Sequence, residues 1–152
     1  MASLPPDTSE LVLRLFAAAV IGSGIGIDRE VRGKPAGMRT HALVSLGAAL
    51  CTVVVIGIAP SNIAHLDAVS RVIQGIIAGV GFLGAGAILK SPESVHGLTT
   101  AASIWFVAAL GIACGTGQWI AALVAVALAL LVLIGGLAAE KIARRILGPH
   151  EP

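Results

Sequence analysis

Five long apolar stretches separated by short polar segments set the pattern of this chain. They run Leu11–Ile27, Ala42–Ala59, Val72–Leu89, Leu98–Cys114 and Trp119–Ala139. Only Arg14, close to the start of the first, puts a charge inside any of them. A transmembrane helix needs about 20 mostly apolar residues. At about 1.5 Å per residue, the shortest of the five covers roughly 26 Å, close to the hydrocarbon thickness of a bilayer. The fourth stretch is softened at its start by Thr99, Thr100 and Ser103. The pattern predicts an all-α, polytopic membrane protein with five transmembrane helices.

Composition narrows the class further. Of 152 residues, 57% are hydrophobic and 12% charged, against about 25% charged in an average globular chain. That is too little polar surface for a soluble domain of this size. High apolar content and a net charge of only +2 also exclude a disordered chain. Aromatic residues make up 3%, while glycine occurs 19 times. Small residues let helix backbones approach closely in lipid. The spacing of Ala18, Gly22 and Gly26 in the first span, and of Gly75, Gly79 and Gly84 in the third, predicts packing faces. These faces serve the fold itself or a homo-oligomer.

Charge placement predicts topology. Arg29, Arg32, Lys34, Arg39, Lys90, Lys141, Arg144 and Arg145 fall on one side of a five-span arrangement. Arg14 and Arg71 fall on the other, each with an acidic residue four positions earlier, Glu10 and Asp67. Such i,i+4 pairs read as interfacial anchors. The positive-inside rule then predicts an extracytoplasmic tail at residues 1–10, a transmembrane domain at 11–139 and a short cytoplasmic tail at 140–152. Residues 1–10 carry no Lys or Arg, so a cleaved signal peptide is not expected. Cys51 and Cys114 fall at different depths and are expected to stay free, as packing residues.

Candidate chemistry gathers in the first basic segment, Asp28–His41, which reads DREVRGKPAGMRTH. Gly33, Pro35 and Gly37 predict a compact turn there. Its cations suit an anionic inner leaflet. Asp28 and Glu30 are candidate ligands for a divalent cation. Two positions apart on a helix, they point away from each other, and an Asp28–Arg32 ion pair is the cheaper expectation. Glu93 and His96, before the fourth span, are a second partner set. No carboxylate, Lys or His lies near a span midpoint, which argues against a proton- or cation-coupled pump. A passive path lined by hydroxyls stays open, with Thr99 and Thr100 the first residues to test. His41, His65, His96 and His150 lack metal-ligand spacing, so no catalytic residue, metal site or cofactor is assigned. Nucleic acid is not an expected partner, because topology accounts for the basic residues.

Three blocks also match a known pattern. RGKPAGMRTH (Arg32–His41) continues into ALVSLGAAL, GVGFLGAGAIL spans Gly79–Leu89, and HGLTTAASIW (His96–Trp105) continues into FVAALGIACGTG. In this order and spacing they resemble the signature of the MgtC/SapB family of bacterial inner-membrane proteins. The resemblance implies a bacterial inner-membrane location and a domain linked to growth under magnesium limitation and to survival inside host phagocytes. It implies a non-enzymatic regulator acting on other membrane proteins, among them the F-type ATP synthase or transporters. A transporter or channel for Mg²⁺ or another small ion is the alternative. The segment Asp28, Arg29, Glu30, Lys34, Pro35, Arg39, Thr40 and His41, with Thr99 and Thr100, becomes the expected functional surface. Many members carry a soluble ACT-like domain after the last span. Only Glu140–Pro152 follow here, so a short form is expected.

Overall fold

A computed structural model describes residues 7–59, 63–90 and 94–147. Residues 1–6 and 148–152 of the two expected tails, and Glu93 of the second partner set, lie outside the described residues. The element order is α1 (Thr8–Val31), α2 (Met38–Ile58), α3 (Ile63–Gly86), β1 (Leu89–Lys90), β2 (Val95–His96), α4 (Leu98–Gly115) and α5 (Trp119–Leu147). All five helices are long and apolar enough to cross a membrane. Large apolar side chains face outward around the bundle, including Phe16, Phe82 and Ile120, each more than half exposed. Lipid is the solvent that this surface fits.

Several boundaries differ from the sequence pattern. Helix α3 begins at Ile63, well before the expected Val72, and ends at Gly86 rather than Leu89. Helix α1 continues through Asp28–Val31, and α2 begins at Met38 rather than Ala42. Charged residues therefore extend both helices, because nothing breaks a helix before Gly33 and Pro35. Helix α5 runs to Leu147, well past Ala139. The α3–α4 connection, expected as a plain loop, contains a two-stranded antiparallel hairpin pairing Leu89 with His96 and Lys90 with Val95.

Local signals explain the ends. Asp7 caps α1, its carboxylate accepting from the Glu10 amide at 2.7 Å and the Ser9 hydroxyl at 2.8 Å. Those two donors hold its pKa below the usual carboxylate value. At the other end, Gly33 takes φ +61° and its amide returns to the Glu30 carbonyl at 3.0 Å. This is the left-handed glycine that commonly closes a helix.

Helix α2 lies at the centre, packed between α1 and α4. Glycines set both contacts. A Cβ on Gly26 would stand 2.5 Å from the Met38 Cα, and one on Gly22 would stand 2.5 Å from the His41 carbonyl oxygen. From α4, a Cβ on Gly115 would come within 2.8 Å of the Ala49 oxygen, and one on Gly111 would strike the Ser45 carbonyl. Gly22 and Gly26 thus lie where α1 meets the start of α2. Gly111 and Gly115 form an equivalent G-x-x-x-G that the sequence reading passed over. Gly84 makes ordinary contact with Ala101 at 3.6 Å, whereas Gly75 and Gly79 have nothing within 4 Å. Among the described residues, nothing would meet a Cβ placed on either of them.

The anchors form as expected. The Arg14 guanidinium pairs with Glu10 and donates to the Gly115 carbonyl at 2.7 Å, tying the start of α1 to the end of α4. Arg71 pairs with Asp67 at 2.9 Å. Both cysteines are free, Cys51 exposed and Cys114 buried.

Candidate functional site at the basic end of the bundle

The first turn of α2 and the last turn of α1 meet the start of α4 at one end of the bundle. His41 is fully buried there. Its Nδ1 lies 3.0 Å from the Gly37 carbonyl, which can only accept, so Nδ1 carries the proton. Its Nε2 lies 3.0 Å from Ser103 Oγ on α4. That hydroxyl sits 2.8 Å from the Thr100 carbonyl. Thr100 Oγ1 accepts from Arg29 Nη2 at 2.5 Å. A polar network therefore runs Gly37–His41–Ser103–Thr100–Arg29 and joins α1, α2 and α4.

Arg29 is the exceptional member. It retains only 5% of its surface, and its Nε has no hydrogen-bond partner among the described residues. Among the described residues no carboxylate pairs with it: Asp28 Oδ1 accepts from Arg32 Nε at 2.8 Å. The expected Asp28–Arg32 pair is thus present, and Asp28 Oδ2 is left buried without a partner. Glu30 points the other way, its Oε2 accepting from the Met38 amide at 2.9 Å. It caps α2 across the turn, because the N-cap residue Gly37 has no side chain. Asp28 and Glu30 therefore hold separate partners, as their spacing predicts.

A cavity of about 700 Å³ opens beside this network. Asp28, Arg29, Arg32, Lys34 and Pro35 line one wall, and His96, Thr99 and Thr100 line another. The two polar segments expected on the same side of the membrane thus share one site. Arg39 and Thr40 are exposed and take no part in the lining. Among the described residues, no three His, Cys, Asp or Glu side chains cluster to hold a metal ion.

Two participants were not singled out from sequence. In sequence Ser103 is only a hydroxyl that softens the start of the fourth span. Ser45 is fully buried between Gly22 and Gly111, its hydroxyl unpartnered among the described residues. A small polar residue between two glycine-bearing helices is a signal that could have marked it.

Comparisons with known proteins agree with this architecture. The MgtC family model matches residues 15–142. Protein SrpB of Synechococcus elongatus is 45% identical over 146 residues, covering 90% of this chain and 80% of SrpB. The Escherichia coli K12 protein named "Putative magnesium transporter YhiD" is 42% identical, covering 83% of this chain and 60% of YhiD. Protein MgtC of Salmonella typhimurium is 38% identical, covering 89% of this chain and 54% of MgtC. The chain thus spans little more than half the length of the last two. No solved structure matches it.

Proposed function

The chain belongs to the MgtC family, and from that premise we propose that it is a non-enzymatic regulator of the bacterial inner membrane that docks laterally on other membrane proteins. One observation carries this reading. Between α2 and α3 an apolar groove of about 430 Å³ faces outward, floored by Gly47, Gly75 and Gly79. Among the described residues, nothing beyond each glycine's own helix lies within 4 Å of where a Cβ would stand on any of the three. Small residues at the floor of an open groove admit the backbone of another helix. By resemblance, the partner is an ion-handling protein such as the F-type ATP synthase or a transporter, and the setting is magnesium limitation. The bundle end with Arg29, Arg32 and Lys34 faces the cytoplasm in this reading, following the positive-inside rule.

The second reading is transport of Mg²⁺ or another small ion. The name of the YhiD relative and the unpartnered Asp28 Oδ2 favour it. Against it, a cation entering beside Asp28 would meet Arg29, Arg32 and Lys34 in the same cavity. Like charges at such range repel strongly where water is scarce. Proteoliposomes loaded with an Mg²⁺-sensitive dye decide between the readings. The regulator predicts no flux above that of empty vesicles. Flux that disappears on Asp28→Asn would replace it with a transporter.

A further inference from the structure

The cavity at Arg29 does not end at its polar wall. Thr99, Val132 and Leu133 belong both to it and to an adjoining cleft of about 670 Å³ between α4 and α5. That cleft is apolar, walled by Ile25, Trp105, Phe106, Ala125 and Leu128. A polar compartment thus opens into a long apolar one at the membrane boundary.

The polar compartment is built for negative charge. Among the described residues, three cations, Arg29, Arg32 and Lys34, line it against one carboxylate, that of Asp28. That carboxylate is engaged by Arg32 on one oxygen. Arg29 is 95% buried by its 5% residual exposure, and its Nε has no hydrogen-bond partner among the described residues. The Lys34 ammonium has no partner among the described residues. Residues 97–100 at the start of α4 line the same space. Gly97 gives that helix no side-chain cap, so its first amides and the positive end of its dipole remain available. A buried arginine beside an uncapped helix start is anion-binding chemistry.

We propose that this composite cavity binds an anionic phospholipid. Its phosphodiester sits against Arg29, Lys34 and the first turn of α4, and one acyl chain fills the cleft beside Trp105. Basic pockets between transmembrane helices recognise lipid head groups in this way. The apolar compartment selects a lipid over a soluble phosphate, and the excess of cations selects an anionic lipid over a zwitterionic one. The site stands on the cavity alone and does not depend on whether the chain regulates or transports.

Trp105 supplies the readout. The full chain with Trp119→Phe, reconstituted in vesicles, leaves Trp105 as the single tryptophan. Quenching by phosphatidylglycerol brominated on its acyl chains is compared with quenching by brominated phosphatidylcholine. Each basic side chain near anionic lipid contributes about 1 kcal/mol, or about fivefold in affinity. The expected preference for phosphatidylglycerol is therefore about fivefold or more. Lys34→Gln, at an exposed position whose ammonium has no partner among the described residues, should lower it about fivefold. Arg29→Lys, which keeps the charge, should retain much of it. Equal quenching by the two lipids, or a preference untouched by Lys34→Gln, would overturn the proposal. So would a Trp105 signal that answers to inorganic phosphate or to Mg²⁺ alone, because the occupant would then be a soluble ion.

Discussion

Arg29 on α1 donates from Nη2 to Thr100 Oγ1 on α4 at 2.5 Å, across 71 positions of sequence. This contact brings the two candidate segments together and places a guanidinium inside the bundle with no carboxylate opposite it among the described residues. Removing this acceptor leaves a buried charged donor unsatisfied, a loss of ~1–3 kcal/mol. Thr100→Val should lower stability by that amount, read from unfolding in mixed micelles. Thr100→Ser, which keeps the hydroxyl, should restore most of it.

The glycines separate into two behaviours. Gly26→Ala and Gly111→Ala drive a methyl into α2 backbone, and such overpacking costs about 1–3 kcal/mol. Gly75→Ala meets open space and gains up to ~1 kcal/mol of helix propensity. Thermal unfolding of the three purified variants should show the first two falling below the parent and the third equal to it or above.

Glu30 should act through its oxygen rather than its charge. Its Oε2 caps the Met38 amide at 2.9 Å, and losing an N-terminal cap costs about 1 kcal/mol. Glu30→Ala should lose that much stability. Glu30→Gln, with an amide oxygen at the same reach, should lose little. Amide hydrogen exchange at Met38 reads the cap directly and should rise only in the Ala variant.

His41 should carry a proton on Nδ1, facing the Gly37 carbonyl. Nitrogen NMR of the labelled imidazole checks this. Ser103→Ala removes the side chain that faces Nε2 at hydrogen-bonding distance and should cost ~1–3 kcal/mol. The Nδ1 proton should remain in place in that variant.

The spans were legible because apolar length is a strong signal over some twenty residues. The Asp28–Arg32 pair and the two arginine anchors were legible because i,i+4 spacing fixes them locally. Helix ends were harder. Charges after Ile27 mark the edge of the lipid, yet they do not stop a helix, and α1 runs on to Val31. Paired strands of two residues each are too short to leave a periodic trace, so the hairpin was read as loop. The network from His41 to Arg29 depends on which faces of three helices meet. One sequence holds Ser103 and Thr100 only as hydroxyls near a span start. The glycine spacing was legible, but its direction was not. Gly22-x-x-x-Gly26 and Gly75-x-x-x-Gly79 look alike in sequence, and only the first faces inward.

The outward-facing pair leads to the most direct test of lateral docking. A photoreactive benzophenone side chain replaces Leu83 on the rim of the α2–α3 groove and, as a control, Ile120 on the exposed face of α5. Cells are irradiated at limiting magnesium, and the chain is recovered from native membranes. The account predicts a discrete higher-mass adduct with a second membrane protein from position 83 and none from position 120. Recovery of the isolated monomer alone from position 83, or equal adducts from both positions, would contradict it.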